Sequence, residues 1–347
     1  GRLRPGLRAA LAFIFGSLTL VAAAIAAGGD QTRAVYLFPA AVALLGLAVW
    51  TPWHARGGGR WRNRMIGVAA VPLLLLYVVM PIGTALWTTQ KYRTDIGTFA
   101  VPHRSVTFES SDGLRLSGWY VPSRNGAAVV LVHGGGGSRD GAKRHAVLFA
   151  HAGYGVLLYD ARGRGRSEGA PDAYGWTWTH DVDGAIDFLH ARGIRRIGAL
   201  GLSTGADVLI EVAAQRHDLR AVVADGTTAE SSGDVAKISH GSGLISLPFW
   251  WMQYGAASVL EGARPSRPLA DAARHVAPTR FLFIASTWPV ERQAAPLYAK
   301  AAHAPLWRVD AGHTGGLREH PRAYAKRVLG FFARTLLSDT SAAVTKP

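Results

Sequence analysis

The sequence predicts an α/β protein in which helices cover both faces of a mostly parallel sheet, preceded by an all-α apolar region. Three observations support this prediction. After residue 100, short β-rich runs alternate with amphipathic helical stretches. Most of these runs are apolar at every position, as in strands buried on both faces. The excess of apolar residues is concentrated in the first 90 residues.

Composition limits the kinds of partner and cofactor. The 347 residues carry a formal charge of +15, contain no cysteine and are 49% hydrophobic but only 18% charged. The absence of cysteine excludes disulfides and thiolate metal sites. Residues 1–64 hold eight arginines and Asp30, a net charge of +7, which leaves +8 for the remainder. No basic block is interleaved with aromatic residues, so the charge does not indicate a nucleic-acid partner.

Three charge-free apolar runs precede the α/β pattern, at residues 9–29, 34–53 and 65–90. About 20 helical residues cross a bilayer core, so each run is long enough to span a membrane. The alternative is that the runs are buried helices of a soluble protein. Three successive runs separated by arginines disfavour this alternative. We therefore predict a membrane region over residues 1–92. Tryptophans, which favour membrane interfaces, lie near the ends of the runs at Trp50, Trp53, Trp61 and Trp87.

The arginines also predict an orientation. They are concentrated before the first run and in the loop between the second and third runs. The positive-inside rule places these segments in the cytoplasm and the following domain outside. We expect an integral protein of a bacterial plasma membrane with its α/β domain on the extracytoplasmic side. If the first run is a cleaved signal peptide, ending near Ala24-Ile25-Ala26, two spans remain and the domain still faces outward.

One domain is predicted over residues 100–340, and its elements follow in order. The predicted strands are Ser105–Phe108, Leu114–Val121, Ala127–Val132, Gly155–Tyr159, Ile197–Leu200, Ala221–Val223, Arg280–Ile284 and Leu306–Val309. The predicted helices are Lys143–Ala152, Thr179–Ala191, Ala206–Gln215, Glu291–Ala302 and Arg322–Leu337. Residues 228–270 show no strand pattern and are interpreted as an inserted cap.

The pentapeptide Gly201–Gly205, GLSTG, follows a predicted strand and leads into a predicted helix. In this context a G-x-S-x-G turn presents its serine as a nucleophile at the carboxyl end of a sheet. The turn is sharp, so the flanking positions need small residues, and glycine occupies both. The sequence therefore predicts Ser203 as a catalytic nucleophile.

A glycine-rich loop, His133–Gly137, follows the third predicted strand. Acyl transfer needs hydrogen-bond donors aimed at the developing oxyanion. We expect the backbone N–H groups of Gly135 and of Thr204, the residue after the nucleophile, to form this oxyanion hole. A phosphate-binding loop is disfavoured because Ala142 stands where such a loop requires lysine. A flexible linker fits poorly directly after a strand.

These motifs, with the turn Asp160–Ser167 and the late pair Gly312-His313, resemble those of membrane-anchored α/β-hydrolases of the serine aminopeptidase-like superfamily. The likeness covers about residues 105–338, with the motifs in the family's order and spacing. It implies an α/β-hydrolase fold with an eight-stranded sheet, a cap after strand six, and hydrolysis of esters, thioesters or amides. In this family the Asp160–Ser167 turn is usually structural. The chain departs from the family at the usual aspartate after strand seven, which is absent.

The general base must be a histidine, and the sequence contains 13. His313 alone lies in a small-residue loop, Ala311–Gly315, between the last predicted strand and the last predicted helix. The order of nucleophile, acid and histidine is that of the hydrolases. We therefore predict that His313 removes the proton of Ser203, with an ordinary exposed loop histidine as the alternative.

Three carboxylates compete for the role of the acid that orients His313. Glu291 is preferred because it is the only carboxylate in the loop after strand seven, and hydrolases of this type use either Asp or Glu. Asp225 follows strand six, where some hydrolases place the acid. Asp310 lies three residues before His313. This separation is too short for its carboxylate to approach the far ring nitrogen easily.

These residues predict a serine hydrolase that works through an acyl-enzyme. We expect esterase- or lipase-like activity on a small-molecule or lipid-like acyl substrate, with no metal or organic cofactor. A serine peptidase of the aminopeptidase-like kind is the second interpretation. A non-catalytic membrane protein with a hydrolase-like domain is the third, although the serine, the histidine and the glycines are all present.

An aromatic run, Phe249-Trp250-Trp251, lies within the predicted cap. Exposed apolar patches of this kind usually mark binding surfaces. The cap is therefore expected to face the membrane or to admit an apolar acyl chain. Ordinary packing of the cap onto the core is the alternative.

Overall fold

The computed structural model divides the described chain into two compact units. The smaller unit comprises the described residues up to 89 together with Leu244–Arg264, and the larger unit comprises the others. The residues that the structure describes are 65, 72–89, 95–238, 243–265 and 267–338.

The larger unit is built on one eight-stranded sheet with the order β1-β2-β4-β3-β5-β6-β7-β8. The strands are β1 (Arg104–Glu109), β2 (Arg115–Val121), β3 (Ala127–Val132), β4 (Gly155–Tyr159), β5 (Arg196–Leu202), β6 (Leu219–Asp225), β7 (Arg280–Ala285) and β8 (Leu306–Arg308). β2 pairs antiparallel with β1 and β4, and the other neighbouring pairs are parallel. The prediction of a mostly parallel, eight-stranded sheet is confirmed.

The α-helices of the described residues connect these strands and form the insertion. They are α1 (Met80–Thr88), α2 (Lys143–His151), α3 (Thr179–His190), α4 (Thr204–Gln215), α5 (Ser232–Ile238), α6 (Gly243–Glu261), α7 (Leu269–Ala272), α8 (Pro289–Ala301), α9 (Gly316–Glu319) and α10 (Pro321–Phe332). The predicted insertion, residues 228–270, thus contains α5, α6 and the first two residues of α7.

The central strand β3 explains why its sequence lacks polar alternation. Alternate residues, such as Val130 and Val129, belong to two separate apolar clusters, and both side chains are fully buried. The first cluster includes residues of α3, α4 and α8, and the second includes residues of α2 and α10. Because helices cover both faces, every position of the strand is apolar.

The parallel strands place the predicted site residues at one edge of the sheet. β3, β5, β6, β7 and β8 run in the same direction, so their carboxyl ends lie together. The glycine-rich loop, Ser203, the Asp225 turn, the Glu291 loop and the His313 loop each follow one of these strands. Ligand sites of open α/β sheets form at this edge.

The smaller unit pairs α1 with the inserted helix α6. Ile82 of α1 is 1% exposed, and Met252, Ala256 and Leu260 of α6 pack against it. The hydroxyl of Tyr77 also donates a 2.9 Å hydrogen bond to the carbonyl of Ile245. Helix α6 therefore packs on the segment that precedes the sheet domain in sequence.

The predicted spanning helices fall largely outside the described residues. This applies to the runs 9–29 and 34–53 and to part of the run 65–90. No helix in the described part of the chain has the length and hydropathy that a bilayer crossing requires. The membrane region therefore stays a prediction.

Candidate active site

Ser203 occupies a sharp turn between β5 and α4, with φ 54° and ψ −124°. Few non-glycine residues adopt such backbone angles, which are typical of strained functional positions. A Cβ at Gly201 would lie 2.2 Å from the Gly205 carbonyl oxygen, and a Cβ at Gly205 would lie 2.4 Å from that of Val132. Both flanking positions therefore require glycine. The Ser203 N–H also donates to the Asp225 carbonyl at 2.9 Å, which fixes the turn against β6.

His313 follows β8, and its imidazole reaches the nucleophile from a loop 110 residues away. Its Nε2 atom lies 3.0 Å from the Ser203 Oγ atom. The imidazole is about one-third exposed, with a relative side-chain accessibility of 35%. The structure thus brings the predicted nucleophile and the predicted base within hydrogen-bond distance.

Glu291 completes the series. Its fully buried Oε1 atom lies 2.5 Å from His313 Nδ1, and its Oε2 accepts the Ser286 N–H at 2.6 Å. Glu291 lies in the first turn of α8, where the helix dipole stabilises a negative charge. A carboxylate can only accept a hydrogen bond, so Nδ1 of His313 carries the proton that is donated to Glu291. Nε2 is then unprotonated and accepts the Ser203 O–H.

The two rival residues have other partners, Asp225 through its carboxylate and Asp310 through its backbone carbonyl. Asp225 accepts the Tyr324 hydroxyl at 2.7 Å, and burial raises the pKa of Asp225 to about 7 against the lowering effect of that bond. The Asp310 carbonyl accepts from Nε2 of His320 at 2.7 Å. Among the described contacts, neither carboxylate hydrogen-bonds to His313.

The glycine-rich loop is held in place by His133. The N–H of Ala161 donates to Nε2 of His133 at 3.0 Å, so the proton lies on Nδ1, which donates to the Gly134 carbonyl at 2.8 Å. Burial lowers the pKa of His133 to about 4, which keeps the ring neutral at neutral pH. Because the peptide is planar and trans, a Gly134 carbonyl turned towards His133 directs the Gly135 N–H the opposite way.

The two predicted oxyanion donors are neighbours in space. A Cβ at Gly135 would lie 2.8 Å from Oγ1 of Thr204, and a Cβ at Gly134 would lie 3.4 Å from Cβ of Ser203. Thr204 is the first residue of α4, so its N–H has no acceptor within the helix. Both residues are therefore beside the nucleophile, where an oxyanion would form.

Comparison with protein families gives a partial match. Residues 123–264 match the family model described as Hydrolase_4, serine aminopeptidase S33. YfhR of Escherichia coli O157:H7 is 30% identical over 152 residues, which is 41% of this chain and 53% of that protein. The chain thus spans about half the length of this relative.

Solved structures give the wider match. The Pyrococcus furiosus esterase Pf2001 superposes with a TM-score of 0.59 at 20% identity, covering 72% of this chain and 98% of that one. The acylaminoacyl peptidase of Pyrococcus horikoshii superposes with a TM-score of 0.50 at 20% identity, covering 68% and 42%. The chain has the α/β-hydrolase fold.

Two contacts of His313 were not foreseen from the sequence. A Cβ at Gly226, whose φ is 80°, would lie 3.2 Å from Cε1 of His313, so the backbone passes against the imidazole. The ring centroid of Trp288 lies 4.5 Å from that of His313. The available signals were a glycine directly after a strand and a tryptophan directly before Pro289.

A third unforeseen feature lies against the glycine-rich loop. The carboxylate of Asp172 accepts the backbone N–H groups of Tyr174, Gly175 and Thr177, which organises this segment. The carbonyl oxygen of Ala173 lies so close that a Cβ at Gly135 would be 2.6 Å from it. The segment therefore forms a wall beside the predicted oxyanion hole.

The aromatic run of the cap lies on α6, in the smaller unit. Trp251 is 74% exposed, whereas Phe249 and Trp250 are half-buried. Trp250 contacts the ring of Phe249 and stacks on Tyr254 at 5.7 Å. The expected contact of this run with a substrate or a membrane stays a prediction.

Proposed function

We propose that the chain is a serine hydrolase that cleaves ester, thioester or amide bonds through an acyl-enzyme. The observation that carries this proposal is the hydrogen-bonded series from Ser203 through His313 to Glu291. The turn after β5, the loop after β8 and the first turn of α8 contribute these side chains at the carboxyl edge of the sheet. Their order and contacts suit a nucleophile, a base and an orienting acid.

The chemistry proceeds in two steps. His313 accepts the Ser203 proton on Nε2 as Oγ attacks the substrate carbonyl, and the buried Glu291 stabilises the imidazolium. The Gly135 and Thr204 N–H groups donate to the oxyanion of the tetrahedral intermediate. Nε2 then gives its proton to the leaving group, which departs and leaves an acyl group on Ser203. His313 next activates a water molecule, which releases the acid and restores the serine.

An ester is the favoured substrate class. The esterase Pf2001 supports this choice because it matches almost over its whole length. Peptidase activity is the second candidate, supported by the description of the matching family model and by the acylaminoacyl peptidase. No metal takes part in the proposed steps.

A fluorophosphonate probe tests the proposal on the full chain in detergent. We expect the probe to label the wild-type protein and not the Ser203→Ala variant. Ser105→Ala, which changes an exposed serine of β1, is the matched control and keeps full labelling. Ester turnover should fall by at least about 10³-fold in Ser203→Ala alone. A wild-type chain that neither reacts with the probe nor turns over ester, thioester or peptide substrates would contradict the proposal.

Membrane anchoring with an extracytoplasmic hydrolase domain is the second part of the proposal. Besides the arginine pattern, the surface of the smaller unit supports it. Nine of the ten large apolar side chains that are exposed within the described residues belong to this unit. Exposed apolar side chains in such numbers usually mark a binding surface. Helix α1 carries no charged residue, and α6 carries one, at its last position, Glu261. The nine are Met65, Leu73, Leu75, Leu76, Met80, Trp87, Ile245, Trp251 and Val259.

A reporter fusion tests the orientation. Alkaline phosphatase fused after residue 338 should be active, because that enzyme folds only when exported. β-Galactosidase at the same position should be inactive. The opposite pattern would contradict the proposed orientation. Recovery of the chain in the soluble fraction after carbonate extraction would contradict the proposed anchoring.

A further inference from the structure

The link between β7 and α8 is fixed at both ends. Trp288 is its last residue, and the Trp288 N–H donates to Oγ of Ser286 at 3.1 Å. The preceding residue, Thr287, donates both its N–H and its hydroxyl to the Ala311 carbonyl, at 3.1 and 2.9 Å. Pro289 follows as the first residue of α8 and favours the extended backbone that Trp288 adopts, with φ −62° and ψ 131°. The Trp288 backbone is therefore held between the Glu291 carboxylate and the His313 loop.

The side chain of Trp288 lies against the imidazole of His313. The ring centroids are 4.5 Å apart and the planes are inclined by 48°. Offset and tilted arrangements at this separation are favourable between aromatic rings, and an indole face also attracts a cation. The contact therefore persists when the imidazole gains a proton.

The exposure of Trp288 sets it apart. Among the described residues of the larger unit, Trp288 is the one large apolar residue that is exposed, with a relative accessibility of 42%. Trp178, Trp119 and Trp176 of the same unit are 0%, 5% and 7% exposed. An indole retained for packing alone would gain stability from burial. Its position at the rim of the site indicates a role in the site.

We infer that Trp288 is a positioning residue that holds the His313 imidazole in line with Ser203 and Glu291 during proton transfer. The inference rests on the proposed function of His313. When the Ser203 proton moves to Nε2, His313 becomes the donor, and its Nε2–H must point at the leaving group rather than at Oγ. The contact with Trp288 and the bond to Glu291 then keep the ring aimed at the leaving group.

Two substitutions of Trp288 test the inference with a short soluble ester. Trp288→Leu removes the ring and should lower kcat by about 10- to 100-fold, since small misplacements of reacting groups have effects of this size. KM should change little. Trp288→Phe keeps an aromatic face and should restore most of the lost kcat. Trp307→Leu, which removes a half-buried tryptophan of β8, is the matched control and should leave kcat near the wild-type value.

A measurement on the resting protein gives a readout that does not depend on turnover. The Nδ1 proton of His313, shared with Glu291, should give a downfield resonance in the proton NMR spectrum. The wild type, Trp288→Phe and Trp307→Leu should show it, and Trp288→Leu should show it broadened or absent. An unchanged resonance together with wild-type kcat in Trp288→Leu would overturn the inference, as would a loss confined to KM. Failure of the wild-type chain to react with the fluorophosphonate probe would instead overturn the proposed function.

Discussion

The hydroxyl of Tyr324 donates a 2.7 Å hydrogen bond to the carboxylate of Asp225. This bond distinguishes two buried carboxylates at the active edge of the sheet: Asp225, the last residue of β6, and Glu291, in the first turn of α8. Asp225 is bonded to a tyrosine of α10, whereas Glu291 is bonded to His313. Because the two carboxylates have different partners, removing each of them should affect catalysis differently.

The amide variants of the two carboxylates should therefore diverge. Glu291→Gln would present the wrong hydrogen-bonding group to Nδ1 and should lower kcat by about 10⁴-fold. Asp225→Asn keeps an acceptor for Tyr324 and should stay within about tenfold of the wild type. Steady-state kinetics on one ester decides between them. Near-normal turnover by Glu291→Gln would move the role to Asp225.

Gly226→Ala should displace the base without replacing a catalytic side chain. The new Cβ would lie 3.2 Å from Cε1 of His313 and 2.7 Å from Cγ2 of Thr314, so the imidazole must shift. We expect kcat to fall by about 10- to 100-fold. Gly193→Ala is the matched control, because Gly193 has a similar φ of 78° but no neighbour within 4 Å. Equal losses in the two variants would assign the effect to backbone strain.

His133 should influence catalysis through the Gly134 peptide. His133→Leu removes one of two donors to the Gly134 carbonyl and leaves the Gly137 N–H at 3.1 Å. The Gly134–Gly135 peptide is then held less firmly, which should lower kcat by up to about 10²-fold. His133→Asn keeps a donor and should lose less. The rate of fluorophosphonate labelling measures the same effect in a single step. Wild-type kinetics in a folded His133→Leu variant would exclude this role.

His145 predicts how stability depends on pH. Its ring is buried, contacts the ring of Tyr324, and has no hydrogen-bond partner within the described residues. Burial lowers the pKa of His145 from 6.5 to about 4. Between these values the unfolded chain binds more protons than the folded one, so stability rises with pH across the window and is lost on acidification.

The variant His145→Phe should remove this loss. Its free energy of unfolding should fall less than that of the wild type between pH 7 and pH 5, by about 2 kcal/mol. Denaturant unfolding at the two pH values measures the difference. His151→Phe changes an exposed histidine at the end of the same helix and is the control. The same pH dependence in wild type and His145→Phe would contradict the prediction.

Trp251 should matter only for substrates presented by a membrane. Its indole is 74% exposed on α6, and tryptophan favours the lipid–water interface. We expect Trp251→Ser to lower turnover of long-chain esters in vesicles and to leave turnover of a short soluble ester unchanged. Equal losses on the two substrates would favour a packing role for this residue.

The sequence was most informative where one strand or one turn decided the outcome. The run Ala127–Val132 has the bounds of β3, because a strand covered on both faces needs apolar residues throughout. The turn around Ser203 was predictable because its steric demands fall on adjacent residues. The predicted helix Arg322–Leu337 differs slightly, since α10 ends at Phe332 and a π-helical turn continues to Leu337.

Contacts between distant residues could not be read in the same way. Asp225 and Glu291 both follow strands, and the choice between them depends on Tyr324, which is 99 residues beyond Asp225. The approach of Gly226 and Trp288 to His313 depends on where three loops meet. The pairing of α6 with α1 likewise joins segments far apart in the sequence, and no local pattern encodes it.

The backbone at Ser203 has an evolutionary consequence. Its φ of 54° and ψ of −124° strain any residue with a Cβ, at a cost of about 1–3 kcal/mol. Glycine would relieve that strain at an entropic disadvantage of roughly 0.5–1 kcal/mol, so Ser203→Gly should fold at least as stably as the wild type. A gene drifting without selection for turnover would gain stability by exchanging this serine for glycine. Serine at this position is therefore less favourable for folding than glycine would be, as expected for a residue that selection maintains for its chemistry.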